Sequence, residues 1–231
     1  VKYAQSNGVK VLNAQGYSTQ SVVSHTFAMA FYFLQDIAHY QKFTSEGNWM
    51  THPHFSYFKN FSELGSLTWT VIGLGTIGKA VAECARSFGC QVNYISTSGQ
   101  NNNQDFKRVT LAEAFGVSDI ISIHAPLNDK TRNLIGKAQL VQMKKDHILL
   151  NLGRGGIINE EDLSQFLDRN IDVKIGLDVL DKEPMSERSP LKKHLSRPNL
   201  LITPHIAWAS KESRENLWKI TLGKLKEILQ A

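Results

Sequence analysis

Three segments in the second half of the chain carry residue types that could move a proton and grip an acid. Arg154 stands in Asn151-Leu152-Gly153-Arg154-Gly155-Gly156. Asp178 and Glu183 share the run Gly176-Leu177-Asp178-Val179-Leu180-Asp181-Lys182-Glu183-Pro184. His205 lies in Thr203-Pro204-His205-Ile206-Ala207-Trp208. A histidine can give or take a proton near neutral pH. A carboxylate beside it fixes its tautomer and favours its protonated form. An arginine fork can hold a carboxylate and polarise a carbonyl. Hydride transfer to a 2-keto acid needs this set, because the developing alkoxide must be protonated. Singly, each residue also has a plain reading: a turn histidine after Pro204, a surface arginine, a solvated glutamate before Pro184. Their joint occurrence, in this order, argues against coincidence.

A fourth segment supplies the partner chemistry. Gly73-Leu74-Gly75-Thr76-Ile77-Gly78 follows an apolar run and opens a helical pattern. This is the glycine spacing of a dinucleotide loop in its strand–turn–helix context. The first glycine permits the tight turn, the second admits a pyrophosphate, and the third lets helix and strand pack closely. The helix N-terminus then holds the phosphates. An acid that binds the adenosine ribose is expected about twenty residues on. Eighteen residues beyond Gly78 stands Ser96, in Tyr94-Ile95-Ser96-Thr97-Ser98-Gly99, with no acid before Asp105. An acid would repel a 2′-phosphate, and hydroxyls would not. NAD use, NADP use or both therefore stay open.

The elements that must position these groups follow from periodicity. Short apolar runs predict strands at Trp69–Ile72, Val92–Ile95, Ile120–His124, Ile148–Leu152, Ile175–Leu177 and Leu200–Ile202. Amphipathic patterns predict helices at Ile77–Phe88, Leu111–Phe115, Lys137–Met143 and Glu160–Leu167, the last capped by Asn159, and from Ser210 onward. Alternation of the two implies an α/β chain with a doubly wound parallel sheet. In such sheets ligands sit outside the carboxyl ends of strands. That rule aims the Arg154, Asp178 and His205 segments at one cleft. Upstream, Val9–Leu12 reads as a short strand, and a helix is expected from its cap Ser18 to about Tyr40. Residues 43–66 are aromatic-rich and aperiodic, as in a long arm. The last helix places Trp218, Leu222, Leu225 and Leu229 on one stripe that needs a packing partner.

Composition bounds the rest. The chain has 231 residues, 42% hydrophobic and 20% charged, with 16 Gly and 6 Pro, which excludes collagen, low-complexity disorder and a rod. Cys84 and Cys90 cannot build a disulfide scaffold, so a reducing, cytoplasmic setting is expected. Phe27–Leu34 is too short to span a bilayer. The formal charge of +5 could mark a nucleic-acid partner. The cations are dispersed, however, with only a modest cluster at Lys192, Lys193 and Arg197, and no nucleic-acid-binding pattern occurs. Neither nucleic acid nor membrane is expected as a partner, and no metal site is expected.

The sequence resembles the D-isomer-specific 2-hydroxyacid dehydrogenase family. The runs that carry the resemblance are GYSTQSVVSHT (16–26), VIGLGTIGKAVA (71–82), DIISIHAPLNDKTRNLI (119–135), ILLNLGRGGIINEEDL (148–163), GLDVLDKEP (176–184) and PNLLITPHIAWAS (198–210). The GYST and PHIAWAS runs look most like the branch acting on D-glycerate and hydroxypyruvate. The resemblance implies a Rossmann-type cofactor domain and a flavodoxin-like substrate domain. It implies that Arg154 orients substrate, that His205 is the general acid/base paired with Glu183, and that Asp178 meets the nicotinamide carboxamide. Thr76 and Ile77 would give pyrophosphate-binding amides, and His124-Ala125-Pro126 would line the adenosine side.

Departures qualify it. Leu152-Gly153 precede Arg154, Leu180-Asp181 replace a more usual aromatic-plus-Glu pair, and Ser96 replaces the ribose acid. Family members begin with βα units that have no counterpart here, and residue 1 is Val. An N-terminally truncated chain is therefore expected: 1–17 as the end of a substrate domain, 18–208 as the dinucleotide-binding domain, and 209–231 as a helix returning to the former. Trp49 and its arm, with the helix over 18–40, suggest a homodimer; packing of the arm within one chain is the other reading. D-lactate- or glyoxylate-type substrates, and a non-catalytic cofactor-sensing relative, remain alternatives.

Overall fold

The computed structural model describes residues 1–52, 54–56 and 60–230. The chain opens with α1 (Lys2–Ser6), α2 (Thr19–Leu34) and α3 (Ile37–Ser45). It continues through β1 (Thr68–Ile72), α4 (Thr76–Ser87), β2 (Gln91–Ile95), β3 (Lys107–Arg108), α5 (Leu111–Val117), β4 (Ile120–Ile123), α6 (Lys137–Leu140) and β5 (Ile148–Asn151). It ends with α7 (Glu160–Arg169), β6 (Lys174–Leu177), β7 (Leu200–Ile202) and α8 (Lys211–Leu229).

Seven strands form one sheet in the order β3-β2-β1-β4-β5-β6-β7, and every pairing is parallel. The six strands read from the sequence are all present, and β3 joins them as a two-residue edge that periodicity cannot signal. The central strands β4 and β5 are buried at every position. This is why they read as continuous apolar runs rather than alternating ones. Alternate residues feed two cores. On one face Trp69, Val71, Ile120, Ile148 and Leu150 pack with Phe27, Ala30 and Phe33 of α2 and Val81 and Ala85 of α4. On the other, Ile72, Ile121, Ile123, Leu149 and Ile175 pack with Phe115, Leu140, Leu163 and Leu167. Two buried polar pairs tie the strands: the Trp69 indole donates to Ser122 at 2.8 Å, and the Thr70 hydroxyl meets that of Ser118, at the end of α5, at 2.6 Å. The doubly wound, Rossmann-type architecture is as the sequence implies. The order reverses between β1 and β4, which places a crevice at their carboxyl ends.

Three upstream expectations change. The helix expected over 18–40 is two helices, broken at Asp36, whose φ is 48°. The cause is burial: α2 seats eight residues in the core, whereas α3 buries none, so nothing holds it in line with α2. Ser18 occupies the cap position of α2 but its hydroxyl makes no capping bond. Val9–Leu12 forms no strand; its side chains are exposed and no neighbouring strand pairs with it. In the aromatic arm, α3 extends to Ser45 and a short 3₁₀ turn covers Asn48–Thr51, while residues 53 and 57–59 lie outside the described residues. The stripe of Trp218, Leu222, Leu225 and Leu229 on α8 is exposed. No helix among the described residues is long and apolar enough to cross a membrane.

Candidate active site

The glycine loop joins β1 to α4. Gly73 has φ +91°, and a Cβ there would fall 2.9 Å from the backbone of Ala125. A Cβ on Gly78 would fall 2.0 Å from the Gly73 carbonyl oxygen. The chain's own packing thus demands both glycines. Gly75 differs: a Cβ there would meet nothing within 4 Å. The space over Gly75 is open, and Gly75, Thr76 and Ile77 face it at the N-terminus of α4. Gly75 caps that helix without a side chain, leaving first-turn amides for an anionic ligand. These residues fit the pyrophosphate of a dinucleotide.

The loop after β2 folds back on this cradle. The Asn101 side chain donates to the Leu74 carbonyl at 2.8 Å, and the Asn101 amide donates to the Ser96 hydroxyl at 3.2 Å. The Tyr94 hydroxyl donates to the Asn101 carbonyl at 3.1 Å. Ser96 therefore shapes its own loop. Asp105 is exposed beyond the Asn103 turn, which accepts its amide at 2.9 Å. On the other wall, Ala125 is buried against Gly73 and Pro126 is exposed. The His124 ring is enclosed and neither nitrogen has a hydrogen-bond partner. Burial pushes its pKa down to about 3, so it is neutral.

The Arg154 segment leaves β5 through Asn151, a buried residue the sequence reading did not single out. Its side-chain amide donates to the Arg154 carbonyl at 3.0 Å, and its oxygen accepts the Gly153 amide at 3.1 Å. Arg154 is exposed and spends one N–H on the Gly153 carbonyl at 2.7 Å. Gly155 lies flat on the Leu180–Asp181 peptide; a Cβ would fall 1.8 Å from the Leu180 oxygen. That peptide is fixed from two further directions. Glu160 accepts the Asp181 amide at 2.6 Å, and Glu183 accepts the Leu180 amide at 2.9 Å. Burial raises the pKa of Glu160. Glu160 sits in the first turn of α7, where the sequence suggested only helix-dipole chemistry.

The other oxygen of Glu183 lies 2.6 Å from Nδ1 of His205. A carboxylate accepts, so Nδ1 carries the hydrogen and Nε2 is the nitrogen left for proton exchange. The pair is part-exposed, at 35% for Glu183 and 40% for His205. His205 has φ +54°, a left-handed backbone that needs firm surroundings in a residue bearing a Cβ. Asp178, at the end of β6, is buried and accepts the Thr203 hydroxyl at 2.6 Å and the Ile206 and Ala207 amides at 2.9 and 3.0 Å. It therefore holds the turn that carries His205, a role the sequence does not reveal. Among the described residues no group of His, Cys, Asp and Glu could hold a metal ion.

Every strand runs in one direction, so the glycine loop, His124, Arg154, Asp178 and His205 all emerge at the same edge of the sheet. Against this geometry, comparison with known proteins is decisive for the family. Residues 27–207 match the model of the D-isomer specific 2-hydroxyacid dehydrogenase NAD-binding domain. The chain is 33% identical to a hydroxypyruvate reductase of Blautia hydrogenotrophica, over all of this chain and 71% of that protein. It is 31% identical to a glycerate dehydrogenase of Methylorubrum extorquens, over 99% of this chain and 74% of that protein. Its fold superposes on D-lactate dehydrogenase from Aquifex aeolicus complexed with NAD and lactic acid with a TM-score of 0.88 and 26% identity, covering 99% of this chain and 72% of that one. The chain belongs to the D-isomer specific 2-hydroxyacid dehydrogenase family.

Proposed function

We propose that the protein interconverts a small 2-keto acid and its D-2-hydroxy acid, with hydroxypyruvate and D-glycerate as the preferred pair. The observation that carries the reading is the 2.6 Å contact between Glu183 and His205 at the sheet edge that also bears the glycine loop. A nicotinamide cofactor, when bound, supplies or takes the hydride. Gly75, Thr76 and Ile77 at the N-terminus of α4 would hold its pyrophosphate, with His124, Ala125 and Pro126 on the adenosine side and Asp178 toward the nicotinamide end. Arg154 holds the substrate carboxylate and polarises the keto oxygen. His205 delivers a proton from Nε2 to that oxygen, and Glu183 stabilises the imidazolium and keeps Nδ1 protonated. In the oxidative direction the same nitrogen takes the proton back.

NADPH is accepted beside NADH, because no carboxylate closes the loop at Ser96 against a 2′-phosphate. We also assign the dimer contact to the arm over 43–66 with the helical span 18–40. Trp49, Met50, Phe55 and Phe61 are exposed there, a concentration of apolar surface that a second copy would cover. Residues 18–208 form the cofactor domain, flanked by 1–17 and 209–231 as parts of the substrate side. The protein as expressed from its own gene should oxidise NADH and NADPH with hydroxypyruvate faster than with pyruvate or glyoxylate. Cofactor binding with no turnover of any 2-keto acid would favour a cofactor-sensing relative instead.

A further inference from the structure

The turn that carries His205 is held from two sides. Asp178 grips it from the end of β6, as described. It also rests on one face of α2 and on Tyr17 in the turn before that helix. Tyr17 and Trp208 meet edge-to-face with ring centroids 6.4 Å apart. The Ser21 hydroxyl donates to the Ala207 carbonyl at 2.6 Å and accepts the Ser210 amide at 3.3 Å. His25 Nε2 lies 3.0 Å from the Thr203 hydroxyl and 3.6 Å from Asp178. Ser21 and His25 fall on one side of α2, because positions 21 and 25 are four residues apart, and Tyr17 stands in the turn before the helix.

The direction of these bonds is fixed by chemistry. An ionised carboxylate only accepts, so the Thr203 proton points to Asp178. The lone pairs of Thr203 then accept from His25, whose Nε2 must carry a hydrogen. The chain runs from His25 to Thr203 to Asp178, and from Asp178 to the amides of Ile206 and Ala207 on the far side of His205. His205 itself keeps a left-handed φ of 54°. Such a backbone persists only where its neighbours over-determine it. Ser21 and His25 complete that enclosure.

We propose that Ser21 and His25 are positioning residues for His205: they set the place of its turn, and hence the aim of Nε2, without touching substrate or cofactor. This rests on the reading of His205 as the proton donor. The test uses the protein as expressed from its own gene, with Ser21→Ala and His25→Leu, and with Ser21→Thr and His25→Gln as conservative partners. Each variant is measured for kcat, KM, the Kd of NADH, and the NMR signal of the His205 Nδ1 proton. In the two disruptive variants kcat should fall about tenfold to a hundredfold, as for a misplaced catalytic group. KM and Kd should stay within about twofold, and the His205 signal should shift or broaden. Ser21→Thr and His25→Gln should recover most of the kcat. Unchanged kcat in both disruptive variants would overturn the proposal, as would a loss confined to NADH binding. If His25→Leu does not fold, Thr203→Val cuts the same link. If the wild type reduces no 2-keto acid, the function assigned above fails by itself. The NMR signal then decides this proposal alone: moved, it stands; unmoved in both variants, it falls.

Discussion

Two histidines at opposite ends of the parallel sheet, His205 and His147, have opposite surroundings. His205, beyond the carboxyl end of β7, is half exposed and holds a carboxylate at 2.6 Å. His147, just ahead of β5 at the amino end, is 1% exposed and neither ring nitrogen has a hydrogen-bond partner. It packs on the Phe115 ring with centroids 6.0 Å apart, and burial pushes its pKa down to about 4. One imidazole can exchange protons with solvent and substrate; the other is a neutral core group. Residue type alone does not mark a site. The end of the sheet, the partner and the exposure do.

Four experiments press on this contrast. The largest effect belongs to His205→Ala, which should lower kcat by about 10³-fold, within the range for loss of a general acid. NADH binding should survive, as read by cofactor fluorescence. Next comes the anchor beneath that turn. Asp178→Ala leaves three donors unpaired, that of Ala207 buried, and should cost about 3 kcal/mol of stability, seen as a lowered Tm in calorimetry. The amino end should respond to pH instead of to substrate. An unfolded His147 titrates near 6.5, and the folded one near 4. Between those values the unfolded chain binds a proton that the folded chain refuses, so stability falls as pH falls, by on the order of 3 kcal/mol across the window. His147→Phe should flatten that loss in denaturant titrations at successive pH values, with turnover at neutral pH unchanged. The smallest effect is at the cofactor loop. Ser96→Asp should reduce the use of NADPH relative to NADH about tenfold through charge repulsion, read as a ratio of kcat/KM values.

Much of the carboxyl end was legible because its demands are local. The spacing of Gly73 and Gly78 reports backbone crowding that only glycine relieves, as the contacts at Ala125 and the Gly73 carbonyl show, while Gly75 leaves open space. The central strands β4 and β5 are runs buried on both faces, which need no knowledge of neighbours to read. Asn159 was legible as a cap, and its side chain does accept the Asp162 amide at 3.0 Å. What escaped the sequence depends on distant residues. Glu160, Ser21 and His25 act on turns that reach them only after folding, across 21 to 189 residues. The break at Asp36 escaped because the apolar spacing continues while the core that would hold it does not. Two-residue β3 escaped because its exposed Lys107 and Arg108 have no strand-like pattern.

The most direct test of the central claim is the fate of hydrogen in a single reaction. Hydroxypyruvate is reduced with NADH carrying deuterium at both positions of its transferring carbon, in ordinary water, by the protein as expressed from its own gene. The account predicts D-glycerate with one deuterium at the former keto carbon, at a rate that His205→Ala lowers about 10³-fold. L-glycerate, an unlabelled product, or an undiminished rate in His205→Ala would contradict it.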